Sequence, residues 1–175
     1  MKKSIIFFLL YFFIFLPYKN TFANISISFI DIDYIYSNST IGKKIDNQLN
    51  LENKKINDEL ISYQKKIQDE KNKLINQKKI ISEEEFKTKS IDLEKKIKKY
   101  NKFVSDNKKT FIKYKNETKG LFLKKLMNIV QEYAEDNSIQ LILNKSDIII
   151  GHNTLDLSND ILKLVNKKIN DIKLQ

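Results

Sequence analysis

The sequence predicts an α+β protein: a small β body completed by oligomerisation, with a long antiparallel α-helical coiled-coil hairpin projecting from it. Three observations carry this. Between Gly42 and Gly120 lie 77 residues with neither Gly nor Pro, a stretch in which a compact chain would have to turn repeatedly. Within it, apolar residues recur three and four apart in two runs separated by a helix-start signal. At both ends of the chain the period changes to two, the mark of strands.

The first 23 residues read as an address rather than as fold. Met1-Lys2-Lys3 is a short cationic leader, Ile5 to Leu16 is unbroken apolar or aromatic sequence, and Pro17 ends it. Thr21-Phe22-Ala23 then offers a small-x-small cleavage site, the layout of a secretory signal peptide. Twelve helical residues reach about 18 Å, short of the roughly 30 Å hydrocarbon core, so a membrane anchor is the weaker reading. Without Lys2, Lys3 and Lys19 the exported chain keeps 29 Lys against 22 acids, a net of +7 over residues 24–175.

Residues 24–40 supply a first strand and lead-in. Ile25-Ser26-Ile27-Ser28-Phe29 alternates, and Ile30-Asp31-Ile32-Asp33-Tyr34 alternates with the opposite parity. The switch points to a bulge or to a strand buried on both faces. Asp31 and Asp33 then share a strand face, where a solvent-facing edge explains them more simply than a metal pair.

Residues 41–120 form the arm, with its tip near 80–86. The first stripe is Ile41, Ile45, Leu49, Ile56, Leu60, Tyr63, Ile67 and Leu74. Lys-Lys-Ile starts at 43, 54 and 65, an eleven-residue interval, while Leu60, Ile67, Leu74 and Ile81 fit heptads, so handedness of any supercoil stays open. Ser82 with Glu85 reads as a capping box, and Glu83-Glu84-Glu85 suit a helix N-terminus. The cap favours a hairpin over one continuous rod. The second stripe runs through Phe86, Leu93, Ile97, Tyr100, Val104, Phe111 and Tyr114, continuing as Leu121, Leu126, Ile129 and Tyr133. Gly120 marks either a joint between arm and body or a close-packing point.

Residues 121–175 return to the body: the helix end, a β stretch over 139–150, and a final helix carrying Ile161, Leu162, Val165 and Ile169, capped by Asp156 and Ser158. His152 lies in a Gly-His-Asn turn and reads as a loop residue. Two or three strands make no stable sheet alone, which implies that several chains complete it.

Composition removes most enzyme classes. There is no Cys, hence no disulfide, thiolate metal site or cysteine nucleophile, and one His cannot build a multi-His centre. Three Gly are too few for a dinucleotide or phosphate-cradling loop. No nucleophile–base–orienter set can be assembled, so the chain is read as neither an enzyme nor a cofactor or metal binder.

In order and spacing, three segments resemble the Skp (OmpH-like) periplasmic chaperones. They are Ile27-Ser28-Phe29-Ile30-Asp31 running into Tyr34-Ile35-Tyr36 and Gly42-Lys43-Lys44; Ile81-Ser82-Glu83-Glu84-Glu85; and Asn137 to Lys145 leading to Asp156-Leu157-Ser158-Asn159-Asp160-Ile161-Leu162. The resemblance implies a homotrimer whose helical arms surround a cavity and hold unfolded outer-membrane proteins in the periplasm without ATP. All 32 cations are Lys, a departure from that family's usual composition. Lipopolysaccharide or an anionic membrane surface is a further implied partner, but Lys lacks the bidentate fork of Arg, and no lipid site is assigned to any residue.

Charge supports a mechanism for such holding. Residues 40–119 carry 22 Lys against 13 acids, a net of +9, whereas the other exported residues carry 7 Lys against 9 acids. Basic arms would attract an acidic unfolded chain in a salt-dependent way. The client-contact candidates are Lys71, Lys73, Lys78, Lys79, Lys87 and Lys89 around the tip, with Phe103, Phe111 and Tyr114 on the second arm helix. Phe103 neighbours Val104 and cannot fully share its facing, so of these aromatic residues it is the one expected to look out of the seam into the cavity. Two other functions compete: an exported coiled-coil adaptor bridging envelope components, and polyanion binding. Export and the lack of a module combining basic and stacking residues argue against nucleic acid.

Overall fold

The computed structural model describes residues 25–172, so the expected signal peptide and its cleavage site lie outside the described residues. The chain runs β1 (Ile27–Ile30), α1 (Ile32–Asn38), α2 (Thr40–Gln77), α3 (Glu83–Asp136), β2 (Leu141–Asn144), 3-10 turns at Lys145–Asp147 and Asn153–Leu155, and α4 (Ser158–Lys168). β1 and β2 pair in parallel, with Ile27 opposite Leu141 and Ile30 opposite Asn144. Parallel neighbours need a crossover. Here the crossover is the entire α2–α3 hairpin.

The hairpin forms, with its turn a few residues before the expected tip near 80–86. α2 stops at Gln77, residues 78–82 turn, and Ser82 caps α3 by accepting a hydrogen bond from the Glu85 amide at 3.2 Å. Glu83, Glu84 and Glu85 fill the first turn, where negative charge complements the helix dipole. At 1.5 Å per residue α2 is about 57 Å long and α3 about 81 Å, so the last turns of α3 overshoot the arm and belong to the body.

Two expectations about strands need correction. β1 ends at Ile30, and Ile32–Tyr34 opens α1 instead of continuing the strand, because the Asp31 carboxylate caps that helix by accepting from the Tyr34 amide at 2.9 Å. Asp31 and Asp33 therefore share no strand face. Ser28, Phe29 and Ile30 are all buried, so the strand covered on both faces is the correct reading of the parity switch. The β stretch expected over 139–150 reduces to Leu141–Asn144; Lys145–Asp147 is a 3-10 turn, and Ile148–Ile150 joins no strand. The far edge of β1 is already taken: Asp156 bridges Phe29, and the Leu157 amide donates to the Phe29 carbonyl at 2.9 Å. β propensity alone does not make a strand: Ile148–Ile150 follows the 3-10 turn and pairs with neither β1 nor β2.

Two corners set the body's geometry. Ser39, fully buried, ends α1 and starts α2: its hydroxyl accepts from the Gly42 amide at 3.0 Å. A Cβ on Gly42 would stand 1.9 Å from the Tyr36 carbonyl oxygen, so only glycine allows α1 to cross so close to α2. At the far end of α3 the Ile139 amide donates to the Ala134 carbonyl (2.9 Å) and the Ser138 amide to that of Glu135 (3.3 Å). This is a Schellman closure, and Ser138 takes the left-handed conformation (φ 53°) that glycine usually fills.

The core gathers at this end. Ile35 of α1, Ile41, Ile45 and Leu49 of α2, and Phe122, Leu126, Ile129 and Val130 of α3 close on Ile161 and Val165 of α4. The segment after α4 adds Ile169 and Ile172, and Asp171 ties it to α2 through Lys44 at 3.0 Å. The Lys44 ammonium holds the Asp171 carboxyl below the ordinary carboxylate range. Gly120 lies mid-helix and exposed, with no atom within 4 Å of where its Cβ would be, so the close-packing reading of it is excluded.

Candidate functional site

Beyond Leu49 and Thr118 the protein is two helices and nothing more. A two-helix arm can bury only the facing stripe of each member. Leu74 is the one buried side chain of α2 past Leu49, and Ile56, Leu60, Tyr63, Ile67, Leu93, Tyr100 and Val104 are half-buried. The arm therefore keeps apolar surface at the edge of water along its length. Lys96 reaches Glu70 across the seam (2.7 Å), and Lys89 donates to Gln77 (3.1 Å). Such exposed pairs are worth roughly 0.2–1 kcal/mol each, so the apolar stripe holds the arm together.

The structure places the candidate residues in three groups. Lys71, Lys73, Lys78, Lys79 and Lys87 are exposed around the tip, with the Lys78 ammonium 5.8 Å from the centroid of the Phe86 ring. Lys89 is half-buried and paired with Glu85 at 2.9 Å. Lys73 and Lys89 share a groove of about 240 Å³ over Leu74 and Leu93. Phe111 and Tyr114 sit at the arm root, half-buried against the body core. Phe103 lies between these groups at mid-arm, half-buried rather than wholly outward: its ring is tilted 58° against Tyr63, centroids 5.9 Å apart. Tyr63 stands in the sequence as one more residue of the stripe. It is the only aromatic residue in α2, and that was the available signal.

The body offers a second kind of surface. The outer face of the sheet carries half-exposed Ile27, Leu141 and Leu143, and beyond it Ile149 is fully exposed and Ile150 91% exposed. Beneath lies a polar latch: Asp156 accepts from Lys145 (2.9 Å) and from the Ser158 amide (3.0 Å), while the Ser158 hydroxyl accepts from the Asp31 amide (2.8 Å). Burial alone would raise the Asp156 carboxyl, but hydrogen bonds from Ser158 and Lys145 outweigh it and hold the group below the usual range. Among the described residues no cluster of three His, Asp or Glu side chains is placed to hold a metal, and no helix is long and apolar enough to cross a membrane.

This arrangement of a basic two-helix arm on a small mixed body has relatives. The family described as Outer membrane protein (OmpH-like) matches residues 26–165. The chain belongs to the OmpH-like family. Among solved structures it is similar to a candidate outer membrane chaperone (OmpH-like) of Caulobacter crescentus, with a TM-score of 0.80 at 14% identity over 85% of this chain and 88% of that one. At that identity the likeness speaks to fold. No curated protein matches significantly. The two chains thus share a fold with little sequence in common.

Proposed function

We propose that this OmpH-like chain is a periplasmic, ATP-independent holdase that binds unfolded outer-membrane β-barrel proteins between basic helical arms and keeps them from aggregating. The observation that carries the reading is the arm itself: a net charge of +9 over residues 40–119 beside a seam that two helices leave half-covered. Long-range attraction would gather an acidic unfolded chain, and many weak apolar contacts would hold it without a fixed pose. Lys71, Lys73, Lys78, Lys79 and Lys87 serve the first step and Phe103 the second. The description of the Caulobacter crescentus relative as a candidate outer membrane chaperone supports a chaperone role.

Homotrimer formation belongs to the same proposal. A two-stranded sheet with Ile27, Leu141 and Leu143 half-exposed on one face, flanked by bare Ile149 and Ile150, calls for cover from further copies. Lipopolysaccharide or an anionic membrane surface would compete for the same lysines; nucleic acid and catalysis are not part of the reading.

The test is light scattering of a urea-unfolded outer-membrane barrel protein diluted into buffer with or without residues 24–175, without nucleotide. Suppression that saturates near one trimer per client is expected. Unchanged scattering from a folded, oligomeric protein would overturn the holdase reading in favour of an envelope adaptor.

A further inference from the structure

Midway along the arm the seam changes chemistry. Elsewhere α2 offers only aliphatic side chains to it, but at Tyr63 three rings meet. Tyr100 lies edge-on to Tyr63 (centroids 5.4 Å, 77°) and Phe103 lies tilted against it (5.9 Å, 58°). Two helices cannot enclose three rings, and a groove of about 350 Å³ stays open beside them, lined by Glu59, Ser62, Tyr63, Lys66 and Phe103. Its floor is aromatic and its rim polar. Neither Lys66 nor Glu59 is held in an ion pair among the described residues.

From this geometry we infer that the Tyr63–Phe103 groove is a discrete subsite for one aromatic side chain of an extended client strand, with Lys66 pairing an acidic residue next to it. The inference rests on the holdase reading and names what that reading leaves general. The groove's volume lies at the small end of ligand pockets, enough for one side chain rather than for a folded element. Rings prefer tilted and edge-on neighbours at centroid separations of 4.5–7 Å, the arrangement Tyr63 and Phe103 already hold and leave open to a third partner. Strands of outer-membrane barrels supply that partner, because their lipid-facing residues include aromatic girdles and alternate with polar ones. An extended segment that places an aromatic ring in the groove therefore places polar neighbours at its rim. Lys66 at the rim, balanced within the lining by Glu59, and the net of +9 on the arm as a whole favour acidic ones.

The protein has no Trp, so a probe containing one can be followed alone. The probe is a soluble ten-residue peptide of alternating barrel-strand pattern with a central Trp flanked by Glu; a second peptide carries Leu in its place and competes unlabelled. Titrating residues 24–175 into the Trp peptide should shift its emission to the blue. Phe103→Leu, which keeps an apolar side chain but removes the ring, should weaken binding about fivefold or more at unchanged helicity and mass, as loss of one ring–ring contact implies. Lys66→Gln should weaken it severalfold at low salt only, and the Leu peptide should compete poorly. Equal binding by Phe103→Leu, or equal competition by the Leu peptide, overturns the subsite. So does loss of oligomer mass in Phe103→Leu, which would make the groove a contact between copies. Aggregation assays on the same variants separate the two readings. Wild-type holding of whole barrels with an unaffected Phe103→Leu sinks the subsite and leaves the holdase, whereas peptide binding at the groove without any holding does the reverse.

Discussion

Single residues decide how closely the body's helices approach. Gly42 and Gly120 are both helical glycines in the same hairpin, and the sequence treats them alike. The structure separates them. At Gly42 an added methyl would meet the Tyr36 carbonyl at 1.9 Å, while at Gly120 it meets nothing within 4 Å. Gly42→Ala should therefore cost about 2 kcal/mol or more through forced backbone displacement, despite alanine's better helix propensity. Gly120→Ala should add up to about 1 kcal/mol of stability. Urea unfolding at one fixed protein concentration checks both, and equal shifts would contradict the crossing geometry. Tyr36 is a second such residue: its ring meets Phe122 edge-on at 5.0 Å, Lys119 lies over it at 4.8 Å, and its hydroxyl donates to Asp46 at 2.7 Å. Burial, with the Asp46 carboxylate beside it, pushes its phenol far above the ordinary range.

At the scale of elements, three helix starts each rest on a short polar motif. Asp31, Ser39 and Ser82 each cap a helix, and Asp156 pins the start of α4 to β1 and to the turn after β2. The Asp156 carboxyl has a folded-state pKa below its unfolded value, so its contribution is fully present above the unfolded value of about 4 and is lost as pH falls through the folded one. Acid titration of unfolding midpoints should show a fall in stability below about pH 4 that is smaller in Asp156→Asn. A variant with the same acid slope as the parent would remove the latch from the account. The cap at Ser82 was legible, because Ser-x-x-Glu precedes an apolar stripe. The expected cap by Asp156 and Ser158 needs correction: α4 starts from Leu157 with no side-chain cap, Ser158 is its first residue, and of the α4 amides Asp156 accepts only that of Ser158. The cap at Asp31 was not legible, because Ile30 to Tyr34 satisfies a strand's alternation as well as a helix's first turn. Only the hydrogen bond from the Tyr34 amide decides between them.

For the whole molecule, the division of charge is the leading feature. The arm is basic and the body slightly acidic, and the arm's lysines are exposed enough to be screened. Capture of an acidic unfolded barrel should slow by about tenfold or more between low and high salt, since the Debye length shrinks from about 30 Å at 0.01 M to about 3 Å at 1 M. Stopped-flow mixing at several salt concentrations measures this, and a flat rate would leave apolar contact as the only means of capture. The oligomer belongs to this scale too, because the bare face of Ile27, Leu141, Leu143, Ile149 and Ile150 is a property of the sheet and its surroundings rather than of any one element.

The sequence by itself determined the hairpin: its length, its tip at Ser82 and its basic surface follow from a Gly- and Pro-free stretch, apolar spacing and one capping box. These are local signals, read within one or two helical turns. It also determined which residues at this end face inward, since Ile161 and Val165 of α4 and Ile169 just after it recur four apart and all are buried. Only the tertiary structure decided that Gly42 is obligatory, that Phe103 meets Tyr63, and that Ile148–Ile150 joins no strand. Each depends on a partner in another element: Tyr36 across a corner, a ring 40 residues away on the other arm helix, and a strand edge already taken by Asp156 and Leu157. Periodicity tells which side of an element turns inward. Which atoms wait there is set by how the elements cross.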